Sequence, residues 1–302
     1  MKSEMEKLLA RVEQVLARFE ALLPPAPPPA DWSASVAFRW HKSGPLNGHG
    51  WLQPVRHIHR IRLADLRGIG AQIARVEQNT RQFVAGEPAN NVLLTGARGT
   101  GKSSMIKGLL DKYARQGLRL IEVDKRELVD LPAITDLVAG RRERFILFCD
   151  DLSFEAAEPG YKALKVALDG SISTTSDNLL IYATSNRRHL MPEYMQENLE
   201  TKYVGDEIHP GESVEEKISL SERFGIWVSF YPFDQDEYLD IVAHWLQTFG
   251  CSAKEAQAAR EEALQWGLSR GSRSGRVAYQ FARDWAGQHA GGSRANRKGA
   301  RG

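Results

Sequence analysis

Gly96-Ala97-Arg98-Gly99-Thr100-Gly101-Lys102-Ser103 follows the apolar run Val92-Leu93-Leu94 and leads into the amphipathic stretch Ser103–Tyr113. The octet matches G-x-x-x-x-G-K-[ST], a loop that cradles phosphates between a strand and a helix. Each residue type has a physical job in that pattern. Gly96, Gly99 and Gly101 let the backbone curl with its N–H groups turned inward, which residues with a Cβ resist. A helix starting near Lys102 adds its positive end to the same anion site. Lys102 reaches the outer phosphates as a point charge, and Ser103 offers a hydroxyl to Mg²⁺. Ala97, Arg98, Thr100 and Ser104 complete the segment expected to touch the nucleotide. A chain of 302 residues meets the pattern by chance about once in a hundred, so a flanking strand and helix make coincidence a poor account.

Outward from the loop, short apolar runs alternate with helical patterns. Strands are expected at Val92–Thr95, Leu118–Val123, Arg144–Asp151, Asn178–Thr184 and Ile226–Phe230, the last closed by Pro232. The third is apolar up to Cys149, as for a strand buried on both faces. This alternation predicts an α/β protein with a five-stranded parallel sheet between helices. After Pro232 only helical patterns remain, near Asp234–Phe249, Ala253–Leu268 and Gly275–His289, which predicts a small C-terminal all-α lid domain.

A triphosphate site also needs a metal-holding carboxylate and a group that orients water. Asp150 ends the buried third strand, at the carboxyl edge where ligands sit in open α/β folds. It is assigned to Mg²⁺ together with Ser103. Asp151 is assigned to polarising the attacking water, with Glu155 as the fallback base.

The order of these pieces resembles the AAA+ ATPase superfamily: the phosphate loop, Phe145–Asp151, Ala183-Thr184-Ser185-Asn186, Ser221-Glu222-Arg223-Phe224-Gly225, then a helical lid with Ser274-Gly275-Arg276. More narrowly, Leu66-Arg67-Gly68-Ile69, Leu147–Glu155, Ala183–Leu190 and Arg273–Arg276 resemble a bacterial AAA+ family catalogued only as a domain of unknown function. The resemblance covers about residues 50 to 290 and implies further roles. Asn186 would be the first sensor, contacting the γ-phosphate or the water; a strand-end asparagine in a turn is the alternative. Arg223 would be an arginine finger projecting into a neighbour's site, with a surface salt bridge as the alternative. Arg276 would be the lid sensor, with Arg273 close enough to take that role. Gly68 and Ile69 would contact the adenine. One departure is the Asp-Asp pair, where superfamily members usually carry Asp-Glu. The shorter side chain resembles replication initiators and helicase loaders, and implies looser water positioning and slow turnover. No aromatic-hydrophobic-glycine pore loop occurs around Asp124–Gly140, which argues against a threading unfoldase.

The flanks are less specific. Glu4–Leu23 has helical spacing of apolar residues and runs into Pro24–Ala30, a stiff spacer. Trp32–Ala64 contains no Asp or Glu, and it interleaves Arg39, Lys42, Arg56, Arg60 and Arg62 with Trp32, Phe38, Trp40 and Trp51. That mixture binds nucleic acid through phosphates and stacking, or its aromatics pack inside while its cations face water; the second reading is preferred. His57-x-His59 is a weak metal signal. Pro192–Glu216 holds eight acids against one base, Lys202. It is expected to lie near a subunit interface, as a grip for a basic partner or as a solvated insertion. Gly291–Gly302, glycine-rich and basic, is expected to be disordered. The expected division is therefore 1–30 (helix and linker), 31–64 (basic aromatic segment), 65–232 (nucleotide-binding domain), 233–290 (lid) and 291–302 (tail).

Net charge is +2 and hydrophobic content 42%, so composition gives no global argument for nucleic acid or membrane. Two cysteines without metal or CxxC spacing, and no apolar run near 18 residues, predict a cytoplasmic protein with reduced thiols, no leader and no membrane span. The expected function is hydrolysis of ATP with Mg²⁺ at subunit interfaces of a ring or spiral, driving rearrangement of lid and subunits on an unknown macromolecular partner. The alternative is an ATP-switched scaffold or loader acting on nucleic acid or a replication or repair partner with little turnover. A small-molecule phosphotransferase fits the lid and Arg223 less well.

Overall fold

The computed structural model describes residue 5, residues 9–16 and 18, and residues 29–42, 50–58, 60–154, 158–169, 177–187, 202–204, 207–209 and 220–299. Glu155, the proline spacer at 24–28 and most of the acidic stretch lie outside the described residues.

The central sheet has seven strands, not the five expected. β1 (Ala37–Lys42) and β2 (Gly50–Pro54) precede β3 (Val92–Gly96), β4 (Leu118–Glu122), β5 (Arg144–Cys149) and β6 (Leu179–Ser185). The antiparallel pair β7 (Lys202–Val204) and β8 (Glu207–His209) stands apart, and β9 (Ile226–Phe230) returns to the sheet. Strand order is β2-β1-β4-β5-β6-β3-β9. The five expected strands are all parallel, and β1 joins them in parallel on β4 before turning back antiparallel into β2. The basic aromatic segment thus supplies a sheet edge. Its strand period is short but physical: Phe38, Trp40 and Leu52 are buried while Arg39 and Gln53 face out. Trp40 also donates its indole N–H to Asp130 at 3.2 Å.

Successive side chains of a strand point to opposite faces, and the sheet carries one core on each. Val92, Leu94, Ile146, Phe148, Tyr182 and Val228 join one cluster; Leu93, Phe145, Leu147, Ile181 and Ala183 join the other. The central strands are therefore apolar at every position, which is why they read as continuous runs.

The helices are α1 (Gly70–Ala85), α2 (Lys102–Tyr113), α3 (Leu131–Val138), α4 (Pro159–Asp169), α5 (Gln235–Thr248), α6 (Ala253–Ala258), α7 (Arg260–Ser269) and α8 (Gly275–Gly299). α1 ends at Gly86, whose φ of 86° is a left-handed cap that glycine takes without a Cβ penalty. A buried network pins α1 to β6: Asn79 donates to the Tyr182 hydroxyl at 2.9 Å, and the Thr80 and Tyr182 hydroxyls are hydrogen-bonded at 2.9 Å. Burial pushes the Tyr182 phenol up to about 12.

α5 to α8 pack on one another, and Tyr238, Leu239, Val242, Phe281 and Trp285 continue the same cluster that contains Leu94 and Phe230. The expected helix 253–268 is broken at Ala259, which ends α6 and precedes α7. The expected disordered tail is corrected in part, because α8 runs on to Gly299. Ala and Arg among the tail glycines keep enough helix propensity to extend an established helix. At the N-terminus, residue 5, residues 9–16 and residue 18 are helical; Leu9, Val12, Val15 and Leu16 are exposed.

Candidate nucleotide site

The phosphate loop turns where its glycines allow. Gly96, Gly99 and Gly101 have φ of 120°, 73° and 98°, values that side-chain-bearing residues rarely adopt. A Cβ on Gly96 would lie 1.9 Å from the Phe230 carbonyl oxygen, and one on Gly99 would lie 2.8 Å from the Ser274 Cβ. The helix that follows is open at its start. α5 and α6 begin with side-chain caps, Asp234 and Ser252, each in a reciprocal box with the glutamate three residues on. α2 begins at Gly101 with no side-chain cap. Its first amides therefore remain for an anion.

Lys102 is 5% exposed and folds back on the loop. Its Nζ donates to the carbonyls of Gly96 and Ala97 at 2.7 Å each, and to Asn186 Oδ1 at 3.2 Å. Burial pulls the Lys102 pKa down, partly offset by Asp150 and Asp151. The Ser103 hydroxyl donates to Asp150 Oδ1 at 2.6 Å. Asp150 and Asp151 follow β5 directly and are exposed. Asn186 follows β6, and its amide donates to Asp151 Oδ1 at 2.6 Å. β3, β5 and β6 thus deliver Lys102, both aspartates and Asn186 to one sheet edge.

Thr184 carries a role that the sequence reading missed. It is 2% exposed; its hydroxyl donates to Asp150 Oδ1 and accepts from the Asp151 amide at 2.9 Å. One side chain therefore orients both acids. Asp151 has a φ of 55°, the one positive value outside glycine among the described residues. The Thr184 bond helps hold that unfavourable backbone. The signal was present in Ala183-Thr184-Ser185-Asn186, but nothing in the sequence distinguished threonine in the strand from threonine in the site.

These groups line a cleft of about 610 Å³ that also receives Ile69, Phe233, Trp245, Arg276 and Tyr279. Ile69 is 3% exposed and borders the cleft. Gly68 has a φ of 75° beside the Phe233 ring and does not line the cleft. Gly96 and Ala97 do not line it; their carbonyls hold Lys102, which does. Arg98, Thr100 and Ser104 line it. The start of α8 touches the loop directly: the Gly275 amide donates to the Gly99 carbonyl at 2.8 Å. Of the two candidate lid arginines, Arg276 lines the cleft and Arg273 does not.

Arg223 is elsewhere. Its Nε is hydrogen-bonded to Asp169 at the end of α4, and it does not line this cleft. Within one chain it makes the salt bridge that was the alternative to a finger. No cluster of three or more metal-binding side chains exists among the described residues; His59 of the weak His57-x-His59 signal lies outside them.

The residues present suit a magnesium triphosphate. The donors for a hard cation are a hydroxyl and a carboxylate already 2.6 Å apart, oxygen chemistry that Mg²⁺ prefers. The anion side is a glycine cradle with an uncapped helix start and a buried cation.

Loop, paired acids, polar residue after β6 and contacting helical lid define a P-loop nucleotide-binding α/β fold that resembles the AAA+ ATPases. Residues 33–289 match the family described as "Protein of unknown function (DUF815)", and the chain belongs to that family. No curated protein matches the sequence. Among solved structures, a Thermotoga maritima RuvB variant is similar at a TM-score of 0.47 and 16% identity, over 74% of this chain and 63% of that one. A chain of the E. coli MS115-1 HORMA:CdnC:Trip13 complex matches at 0.46 and 14% identity, over 74% of this chain and 90% of its own. The Aeropyrum pernix ORC1 protein in complex with DNA matches at 0.43 and 13%, over 72% and 65%. This chain spans less than two thirds of the length of the RuvB chain it matches. No helix among the described residues is long and apolar enough to cross a membrane.

Proposed function

We propose that this chain binds ATP with Mg²⁺ in the cleft between sheet edge and lid, hydrolyses it slowly, and uses the cycle to move the lid and neighbouring subunits on a macromolecular partner. The observation that carries this is the convergence of Lys102, Ser103, Asp150, Asp151, Asn186 and Arg276 on one cleft from separate elements. Lys102 would exchange its two loop carbonyls for the outer phosphates. Ser103 and Asp150 would hold Mg²⁺, which supplies charge neutralisation on the phosphate oxygens. Asp151 would accept a proton from the attacking water, and Asn186 would keep that water in line. Arg276 would report the phosphate's presence to the lid, whose Gly275 already rests on the loop. Ile69, positioned by Gly68 before it, would pack against the adenine.

Arg223 would complete the site from a neighbouring protomer, once released from Asp169. That arrangement joins one surface to a different one, and such head-to-tail contacts close into rings or continue as spirals. Unpaired Cys149 and Cys251 support a reducing, cytoplasmic setting.

Lys102→Ala tests the core of this reading. ATP binding by calorimetry and steady-state phosphate release should both be lost, and retention of either refutes it. The second reading is a nucleotide-switched loader on nucleic acid with little turnover. It is favoured by the hold that Asn186 has on Asp151, which occupies the proposed base. Phosphate release with and without single-stranded DNA separates the two: a low basal rate raised by DNA, and lost at high salt, supports the loader.

A further inference from the structure

A second cleft, of about 760 Å³, lies between the C-terminal half of α2 and the chain that flanks β1 and β2. The nucleotide site has no use for it. One wall carries Arg56, His57 and Arg60, from the acid-free segment; the other carries Lys107, Lys112 and Arg115. Asp111 is the only acid in its lining. Lys112 is paired with Glu77. Arg56, Arg60, Lys107 and Arg115 are exposed, and none makes an ion pair or side-chain hydrogen bond among the described residues. Four uncompensated cations around one concavity repel one another and raise the local positive potential. An anionic ligand removes that cost.

The geometry points to a site for the sugar-phosphate backbone of a nucleic-acid strand. Guanidinium groups bind phosphate oxygens in bidentate fashion, so Arg56, Arg60 and Arg115 suit phosphate. The cations are spread out rather than convergent. Lys107 and Arg115 stand eight residues apart along α2 and its end, about 12 Å at 1.5 Å per residue. At about 3.4 Å of axial rise per strand step, that span takes in about four or five successive phosphates. A pocket for a small anion instead gathers a few buried polar groups around one point. The lining holds no Phe, Tyr or Trp, so bases have nothing to stack on, and the site reads backbone and not sequence.

The cleft also abuts the nucleotide site. Lys107 lines both cavities. The segment that supplies Arg60 continues across α2 in close contact: a Cβ on Gly108 would lie 2.8 Å from the Leu63 side chain and 3.4 Å from the Ile61 carbonyl. Ile61 then borders the nucleotide cleft. A strand seated on Arg60 and Lys107 thus bears on the helix that starts at the phosphate loop.

The test is fluorescence anisotropy of a labelled 30-nucleotide oligo-dT with the full chain, without nucleotide, from 50 to 200 mM salt. Four phosphate contacts at about −0.7 each give a log–log salt slope near −3. Arg56→Gln with Arg115→Gln should weaken binding at least tenfold and halve the slope, whereas Arg142→Gln, an exposed arginine outside the cleft, should change neither. Lys102→Ala should bind as the native chain does, so the outcome is independent of whether ATP is hydrolysed. Circular dichroism of each variant guards against loss of fold, and Arg56→Lys with Arg115→Lys should restore the slope. Four results overturn the proposal: no binding at 50 mM salt, equal loss in Arg142→Gln, displacement by pyrophosphate at matched charge, or displacement by poly-glutamate. The last two would assign the cleft to a free anion or an acidic peptide.

Discussion

Thr184→Val removes one hydroxyl and leaves a side chain of nearly the same shape in a strand that favours it. Thr184 is 2% exposed, so water does not replace what is lost. The Asp151 amide, bonded to the hydroxyl at 2.9 Å, is left without its acceptor, at a cost of about 1–3 kcal/mol. The bond to the Asp150 carboxylate is charge-assisted, but Asp150 is exposed and keeps Ser103 at 2.6 Å, so its loss adds no more than about 1 kcal/mol. The sum is about 2–3 kcal/mol, which lowers the melting temperature by roughly 3–5 °C in a chain of this size. The same change frees both acids to rotate. A loss of about 1.4 kcal/mol in Mg²⁺ orientation is tenfold in affinity. Calorimetry should therefore show that ATP affinity in EDTA is unchanged while its gain from Mg²⁺ falls about tenfold. Thr184→Ser, which keeps the hydroxyl, should recover most of both effects. A Thr184→Val protein with native melting and native Mg²⁺ dependence would refute the reasoning; so would a serine variant no better than valine.

Gly96→Ala should prevent soluble expression or lower the melting temperature by more than about 5 °C. Its Cβ meets a backbone oxygen at 1.9 Å, which no side-chain rotation relieves, at a cost of several kcal/mol. Arg223→Ala should lower turnover about 10³-fold with little change in ATP affinity. An equal mixture of Arg223→Ala and Lys102→Ala proteins should regain activity that neither has alone; no recovery would return Arg223 to its salt bridge with Asp169. Lys102 sets a pH dependence. Its folded pKa lies below the ordinary 10.5, so the unfolded chain holds more protons in the window just below that value. Stability of the nucleotide-free protein should therefore rise slightly with pH there, while ATP affinity falls as the buried ammonium is lost. Parallel melting and binding series, with Lys102→Met as the reference lacking both trends, check the sign.

What could be read from the sequence was whatever the chemistry confines to one short segment. The glycine spacing, Lys102 and Ser103 sit in eight residues, and Asp150 ends a run too apolar to be anything but a buried strand. β1 and β2 were missed because their buried set is only Ala37, Phe38, Trp40 and Leu52, too short an alternation to outweigh the surrounding cations. Thr184 was missed because its partners come from another strand, and Arg223 pairs with Asp169 through the fold rather than through any pattern. Nothing local separates Arg273 from Arg276 either; the cleft separates them.

The lid contact shows why this boundary falls where it does. Gly275 donates to the carbonyl of Gly99, and Ser274 occupies the space that a Cβ on Gly99 would need. A glycine that the phosphate pattern leaves unspecified is thereby fixed by the residue that precedes the last helix. The φ of 73° at Gly99 serves both the loop's curl and the lid's approach. Any change in the loop when Lys102 leaves the Gly96 and Ala97 carbonyls therefore reaches α8 through one hydrogen bond and one steric contact. Under the proposed function, a lid so placed would respond to the state of the loop without touching the reacting atoms, and Arg276, the next residue after Gly275, would be the side chain that reports it.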